Sequence, residues 1–355
     1  MAKKLMTLAA GASVLALTLS ACGTSNPLDH VKVTTHGTTA APEAEYKAPF
    51  AVASEKVRVI EEGDGDQIKD GDFLIVQVSV FDASKDNTLK DSTYTGSQGP
   101  IIVPINDRLK QLAPEIYNTF TKMKVGGTFA HATNQDQQAA AKGVTNATLA
   151  PGTATDFEVY TVTKKLPGYV EGSQAPAEAP FPAFTLDNGN ASLKFEDNRG
   201  DAPTELKTKV LIEGNGATVK ETDTLYVRYI GAQWSDGQVF DGNYNTQPIS
   251  FSLQGVIKGW TQGLAGQKVG SRVELVIPGD LAYGNEAVQG RPSGTLVFVV
   301  DILDAAPQSE AQAKLIEQQK AQASAAASAS ASAAATPAAS TNPAAATATA
   351  TVSAS

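Results

Sequence analysis

The chain has 355 residues, of which 28 are Lys or Arg and 37 are Asp or Glu, giving a formal net charge of −9. This length allows two ordinary domains with further segments. An acidic chain is a poor partner for nucleic acid or an anionic membrane surface, because both attract basic residues. A single cysteine excludes an intramolecular disulfide. Since His30, His36 and His131 lack metal-ligand spacing, we expect no metal site and place all three at the surface.

The first 21 residues predict a secretory signal. Two basic residues, Lys3 and Lys4, precede an apolar run over 5–19, which is too short for a convincing membrane span. The sequence Leu-Ser-Ala-Cys at 19–22 resembles a bacterial lipobox, in which cleavage leaves Cys22 to carry a diacylglycerol. We therefore expect a chain anchored by lipidated Cys22 at the outer face of the bacterial cytoplasmic membrane. Removal of Lys3 and Lys4 leaves 26 basic residues against 37 acidic ones, a net charge of −11.

Two segments of biased composition flank the central part of the chain. Residues 23 to about 50 are rich in Thr, Ala, Pro and Ser without an apolar period, which predicts a flexible tether. Most of the region after 305 consists of Ala, Ser, Thr and Pro, and it cannot build a core. The predicted organisation is a signal peptide (1–21), a lipid-anchored tether (22–46), a first domain (47–166), a linker (167–183), a second domain (184–305) and a disordered tail (306–355).

The central part contains an internal repeat. Residues 56–78 align without gaps on residues 207–229, with matching Glu-Gly pairs, glycines and aspartates. Further along, KMKVGGT at 122–128 matches GQKVGSR at 266–272. The short apolar runs between turn residues favour antiparallel strands. The sequence therefore predicts two copies of one fold.

The second copy contains nine aromatic residues between positions 225 and 303, and its motifs follow a distinctive order. They are VRYIG (227–231), DGQVFDG (236–242), PISF (248–251), VIKGW (256–260), KVGSRVELVIP (268–278), LAYG (281–284) and TLVFVVDIL (295–303). This order, over some eighty residues, resembles the FK506-binding-protein (FKBP) family of peptidyl-prolyl cis-trans isomerases. The resemblance implies an α+β fold with two FKBP-like domains, each a curved antiparallel β-sheet wrapped on a short α-helix.

The resemblance also implies a site. Four residues would carry catalysis in the family's manner: Tyr229, Asp241, Trp260 and Tyr283. Five more would bind substrate, with Trp260 as the floor under the proline ring: Phe240, Ile249, Val256, Ile257 and Phe298. From the residues alone, Val256, Ile257 and Phe298 are equally well explained as plain core. No cofactor is implied.

The first copy lacks these aromatics. Val78 stands where the second copy has Tyr229, and Ile116 stands where it has Trp260. Lys90 replaces Phe240, and LAYG has no counterpart in residues 134–143. We therefore expect the first domain not to catalyse.

Two functions remain open at this point. One is a membrane-tethered prolyl isomerase acting on proline-containing exported polypeptides, with an FK506-like macrolide as a candidate ligand and no nucleic-acid partner. The other is a non-catalytic peptide-binding module, or holdase chaperone, on the same scaffold. Trp260, Tyr229, Asp241 and Tyr283 together favour the isomerase, whereas the degraded first copy favours the binding module.

Overall fold

The computed structural model describes residues 26–322, except for short gaps at 97–98, 137–138, 140–141, 145–146, 197–199, 310–312 and 320. The predicted signal, Cys22 and the tail beyond residue 322 lie outside the described residues. Within the described ranges, no helix is long and apolar enough to cross a membrane. The predicted α+β fold with two domains is confirmed.

The segment before the first domain is folded onto that domain. Strand β1 (Lys32–Thr34) pairs antiparallel with β2 (Glu43–Glu45) after a 3-10 turn at Pro27–His30. Four of its apolar side chains are buried in a cluster with Phe81 and Phe157 of the domain: Leu28, Val31, Ala44 and Tyr46. The prediction of a flexible tether over 22–46 is therefore wrong from residue 26 onward, because these scattered apolar residues pack on an existing surface.

The first domain is an antiparallel sheet that packs on helices. The elements are β3 (Lys56–Glu61), β4 (Phe73–Phe81), β5 (Leu89–Ser92), β6 (Ile101–Pro104), α1 (Asp107–Leu112), α2 (Pro114–Lys122), β7 (Thr128–Ala132) and β8 (Phe157–Leu166). The strands lie in the order β3-β7-β8-β4-β5, and β6 pairs with β4 on the same edge as β5. Helix α2 buries Phe120 edge-on against Phe129 of the sheet, with ring centroids 5.1 Å apart.

The second domain repeats this arrangement after an added hairpin. The elements are β9 (Ala183–Asp187) and β10 (Asn190–Lys194), which form the hairpin, then β11 (Lys207–Ile212), β12 (Asp223–Gln233), β13 (Val239–Gly242), β14 (Ile249–Ser252), α3 (Lys258–Leu264), β15 (Arg272–Ile277), a 3-10 turn at Gly279–Leu281 and β16 (Leu296–Pro307). The sheet has the strand order β11-β15-β16-β12-β13, and β14 also pairs with β12.

The two sheets bulge at corresponding places. The register between β4 and β8 shifts after Ile75, and that between β12 and β16 shifts after Tyr226, 151 residues later. The shifts between β3 and β7 and between β11 and β15 also correspond. Because a bulge re-aims the side chains that follow it, residues of the two domains can be matched one to one from the register.

The linker and the β9–β10 hairpin cover the outer face of the second sheet. Phe184 of β9 packs with Tyr244 and Val299 of the domain. Beneath this layer, Arg272 donates two hydrogen bonds to Asp301, at 2.6 and 2.8 Å. Asp301 also accepts from the Tyr244 hydroxyl at 2.8 Å and from the backbone N–H of linker residue Val170 at 2.9 Å.

The two domains share a packed interface. Its apolar part joins residues from both sheets and the linker: Ile75, Leu166, Val170, Ile212, Tyr226 and Leu303. Beside it, Lys164 of the first domain bonds both carboxylate oxygens of Asp304 of the second, at 2.8 and 2.7 Å. The first domain is therefore fixed against the second domain through contacts between their two sheets.

Replacing Leu28 by alanine tests the folded N-terminal segment. Leu28 is fully buried, so Leu28→Ala should lower the free energy of unfolding by about 2–5 kcal/mol. Leu112→Ala is the control, because Leu112 is 74% exposed and its truncation leaves no cavity. Urea unfolding measures both. Equal stability of Leu28→Ala and the unaltered chain would mean that the segment is a free tether.

The buried acid Glu274 predicts a pH dependence of stability. Glu274 is 1% exposed, and its Oε1 has no hydrogen-bond partner in the part of the chain that the structure describes. Burial raises its pKa from 4.5 to about 8, although Lys209 opposes the shift. Because the folded pKa is above the unfolded one, stability is lost as the pH rises from about 4.5 to about 8.

Glu274→Gln stays neutral and should escape this loss. Its advantage over the unaltered chain is expected to grow by about a few kcal/mol between about pH 5 and pH 8. Denaturant unfolding at several pH values measures the difference. An advantage that does not change with pH would show that Glu274 does not titrate in this range.

Candidate active site

A cavity of about 450 Å³ opens between the inner face of the second sheet and α3. Five aromatic rings and three smaller residues line it, with one carboxylate and one further tyrosine: Tyr229, Phe240, Phe251, Trp260 and Phe298, then Gly255, Val256 and Ile257, then Asp241 and Tyr283. An apolar hollow with a few placed polar groups is the usual form of a small-ligand site.

Trp260 forms the floor of the cavity. It is 4% exposed, and three rings meet the indole edge-on: Tyr229 at 5.4 Å, Phe251 at 5.6 Å and Phe298 at 5.4 Å between centroids. Gly259 allows the close approach of α3 to β15, since a Cβ at residue 259 would collide with the side chain of Ile277. The helix can therefore lie close to β15 and set the indole deep between the walls.

The wall opposite the helix is built on β12 and β13. Gly231 leaves room for two rings, because a Cβ there would lie 2.6 Å from Phe298 and 2.9 Å from Phe240. These two rings meet edge-on at 5.7 Å. The Tyr229 hydroxyl donates to Asp241 Oδ2 at 2.5 Å. Burial, reinforced by this carboxylate, raises the pKa of Tyr229 well above its ordinary value, so the hydroxyl stays protonated.

The rim carries Tyr283, which is 45% exposed. It follows the 3-10 turn at Gly279–Leu281, and the loop after it is closed by backbone bonds from Gly284 to Gly279 and from Gly294 to Gly284, at 2.9 and 2.8 Å. A side-chain bond from Asn285 to Asp280 at 2.8 Å adds to this. The loop thus presents Tyr283 at the mouth of the cavity.

The structure brings together all the predicted catalytic and substrate-binding residues except Ile249. That residue packs against the domain core but does not line the cavity, and Phe251 takes the place expected for it. Both residues lie on one face of β14, paired with Val227 and Leu225. The two-residue period of a strand was the signal that could have named Phe251. Phe298 belongs to the buried core and lines the cavity, so both interpretations of it hold together.

Comparison with known proteins places this site in a family. A family model described as FKBP-type peptidyl-prolyl cis-trans isomerase matches residues 216–303. An FK506-binding protein of Streptomyces anulatus is 41% identical over 110 residues, which cover 29% of this chain and 89% of that protein. This chain belongs to the FKBP-type isomerase family. A probable FK506-binding protein of Corynebacterium glutamicum is 40% identical over 109 residues, which cover 30% of this chain and 92% of that protein.

A longer relative matches over part of its length. The FKBP-type peptidyl-prolyl cis-trans isomerase FkpA of Escherichia coli K12 is 43% identical over 132 residues, or 36% of this chain and 48% of FkpA. This chain therefore spans about half the length of the Escherichia coli relative. The family match falls on the domain that holds the cavity.

The first domain has the same framework without the family's aromatic site. By register, Glu158 takes the position of Phe298, since Phe298 pairs with Gly231 as Glu158 pairs with Val80. Lys90, at the position of Phe240, forms an ion pair with Asp156 at 2.5 Å. Two charged side chains, Glu158 and Lys90, thus replace two of the rings.

His131 is a neighbour of Glu158, and the prediction that it lies at the surface is wrong. It is 6% exposed, with Nε2 3.0 Å from Glu55 and Nδ1 3.4 Å from Glu158. Burial alone lowers the pKa of His131, but the hydrogen bonds to the two carboxylates outweigh it and the pKa is raised. His30 and His36 are exposed. Among the described residues, no group of three or more His, Cys, Asp or Glu is arranged to hold a metal ion.

Proposed function

We propose that this chain catalyses cis-trans isomerisation of X-Pro peptide bonds in the cavity of its second domain. The observation that carries the proposal is the set of five aromatic rings enclosing an apolar cavity of about 450 Å³ with a single carboxylate at its wall. A proline ring is apolar and flat enough to lie on the Trp260 indole between such walls. Membership of the FKBP-type family supports the same function.

The chemistry requires no nucleophile and no proton transfer. Rotation about the amide bond removes its resonance, at a cost of about 18–20 kcal/mol for peptide bonds generally. The twisted amide is less polar than the planar one, so a water-poor apolar cavity stabilises it relative to the ground state. The buried rings of Tyr229 and Phe298 and the half-buried ring of Phe240 supply that environment.

The polar groups of the cavity would orient the bound backbone. Asp241 is held in place by the Tyr229 hydroxyl and keeps its other oxygen, Oδ1, on the backbone N–H of Gly242 at 2.9 Å. Tyr283 at the mouth would donate its hydroxyl to a substrate carbonyl. Val256 and Ile257, at the entry to α3, would close the cavity on the remaining side.

The proposed substrates are proline-containing exported polypeptides at the outer face of the bacterial cytoplasmic membrane. The basic start, the apolar run and the lipobox-like sequence ending at Cys22 support export and lipid anchoring. Uncatalysed X-Pro isomerisation takes tens to hundreds of seconds, which is slow enough to limit the folding of a newly exported chain. An FK506-like macrolide is the proposed inhibitor, because it would occupy the same apolar cavity.

The test is isomerisation of an X-Pro peptide by the full chain, followed by NMR exchange with and without a macrolide of the FK506 type. We expect acceleration that the macrolide blocks. Trp260→Leu removes the floor and should lower kcat/KM by at least about tenfold. Ile116→Leu is the matched control, because Ile116 holds the corresponding position in the first domain, and it should leave kcat/KM unchanged.

Absence of acceleration by a folded chain would contradict the proposal and would leave the non-catalytic peptide-binding module. An equal loss in Trp260→Leu and Ile116→Leu would place the activity outside the cavity of the second domain.

A further inference from the structure

Arg228 lies directly before Tyr229 in β12, and its side chain points to the opposite face of the sheet. It is 2% exposed. Its Nε donates to the carbonyl of linker residue Gly168 at 2.6 Å. Its Nη1 donates to three carbonyls of one loop: Asn243 at 2.9 Å, Tyr244 at 2.9 Å and Thr246 at 3.1 Å.

Two rings from outside the second sheet hold the guanidinium. Its Cζ lies 5.2 Å from the ring centroid of Phe73, in the first domain, and 4.6 Å from that of Tyr169, in the linker. A flat guanidinium is attracted to aromatic faces, and its rigid fork fixes the direction of its donors. The first domain and the linker therefore set where Arg228 points.

The loop that Arg228 binds, residues 243–247, sets the spacing of the cavity walls. It joins β13, which carries Phe240 and Asp241, to β14, which carries Phe251. Its first residue, Asn243, accepts the backbone N–H of Tyr229 on Oδ1 at 2.7 Å and donates from Nδ2 to Val227 and Gln247. A displacement of this loop would move Asp241 and Phe240 relative to Tyr229.

We propose that Arg228 is a positioning residue for the isomerase cavity. Through Arg228, the first domain and the linker hold loop 243–247 and, with it, the wall that carries Phe240 and Asp241. The guanidinium lies behind the sheet and touches no substrate. This inference rests on the function proposed above and gives the non-catalytic first domain a part in the second domain's reaction.

This arginine is present in the second domain and not in the first. At the corresponding position the first domain has Gln77, whose amide oxygen accepts a bond from the Thr93 hydroxyl at 2.5 Å. Glutamine has no cationic fork to bind several carbonyls and no charge to lie between rings. The domain without the aromatic site therefore also lacks its arginine.

The test compares Arg228→Met with Lys164→Met in the full chain. Both substitutions remove a cation from the domain interface, but Lys164 bonds Asp304 and has no hydrogen bond to loop 243–247 among the described residues. We expect Arg228→Met to lower kcat/KM about tenfold, mainly through a higher KM, because small misplacements in a site are costly. Partial unfolding would instead lower kcat and leave KM unchanged. Lys164→Met should retain both values.

A second measurement does not depend on activity. Hydrogen exchange of the Tyr229 and Asn243 amides, which bond across the strand and the loop, should be faster in Arg228→Met and unchanged in Lys164→Met. If the unaltered chain does not catalyse, the proposed function fails, and exchange alone decides the positioning role. Equal exchange in both variants would overturn that role.

Two further variants keep the test decisive. Arg228→Lys retains the charge but loses the flat guanidinium. A KM equal to that of the unaltered chain in this variant would show that the guanidinium geometry does not position loop 243–247, and it would overturn the proposal. If Arg228→Met does not fold, Phe73→Leu removes one ring from the first-domain side. A higher KM in Phe73→Leu supports the proposal, and an unchanged KM overturns it.

Discussion

The sheet of the second domain is covered on both faces, and the buried pair of Arg272 and Asp301 bonds the outer cover to the sheet through Val170 of the linker. Asp301 accepts from Arg272, from Tyr244 and from the backbone of Val170 in the linker. If the linker moved away, Asp301 would lose the hydrogen bond from the backbone N–H of Val170, and Arg272 would lose its bond to the Val170 carbonyl. Hydrogen bonds to charged groups are among the stronger ones, so their loss would be destabilising. The inner face is thereby left to α3 and the aromatic cavity. A single sheet thus has an outer face that is covered by the linker and an inner face that carries the cavity.

The interface between the domains has an approximate twofold relation. Ile75 pairs with Lys164 in the first sheet as Tyr226 pairs with Asp304 in the second. Ile75 and Tyr226 share one apolar cluster, and Lys164 bonds Asp304. Corresponding positions therefore meet each other, as in an isologous dimer interface. The two corresponding side chains, Lys164 and Asp304, carry opposite charges, which favours contact between a first and a second domain. Two copies of the same domain in this arrangement would place lysine against lysine or aspartate against aspartate.

The sequence predicted those parts that depend on local pattern or on an ordered set of motifs. Turn pairs and short apolar runs gave the two sheets, and the order of motifs placed Tyr229, Asp241 and Trp260 at one cavity. It missed parts that depend on a surface made elsewhere in the chain. Leu28 and Tyr46 belong to no periodic apolar pattern, because a segment that packs on the surface of a sheet needs only a few buried side chains. Burial of His131 depends on carboxylates distant in sequence, and the role of Arg228 depends on a ring from another domain.

The most direct test uses the two indole N–H signals that the chain's two tryptophans provide in a proton–nitrogen NMR spectrum. Trp260 lies at the floor of the cavity, whereas Trp234 packs against Phe181, Leu193 and Phe195 of the outer layer. On titration with an X-Pro peptide, we expect the Trp260 signal to shift while the Trp234 signal stays in place. A shift of Trp234 alone, or of neither signal at saturating peptide, would contradict binding of X-Pro in the cavity of the second domain.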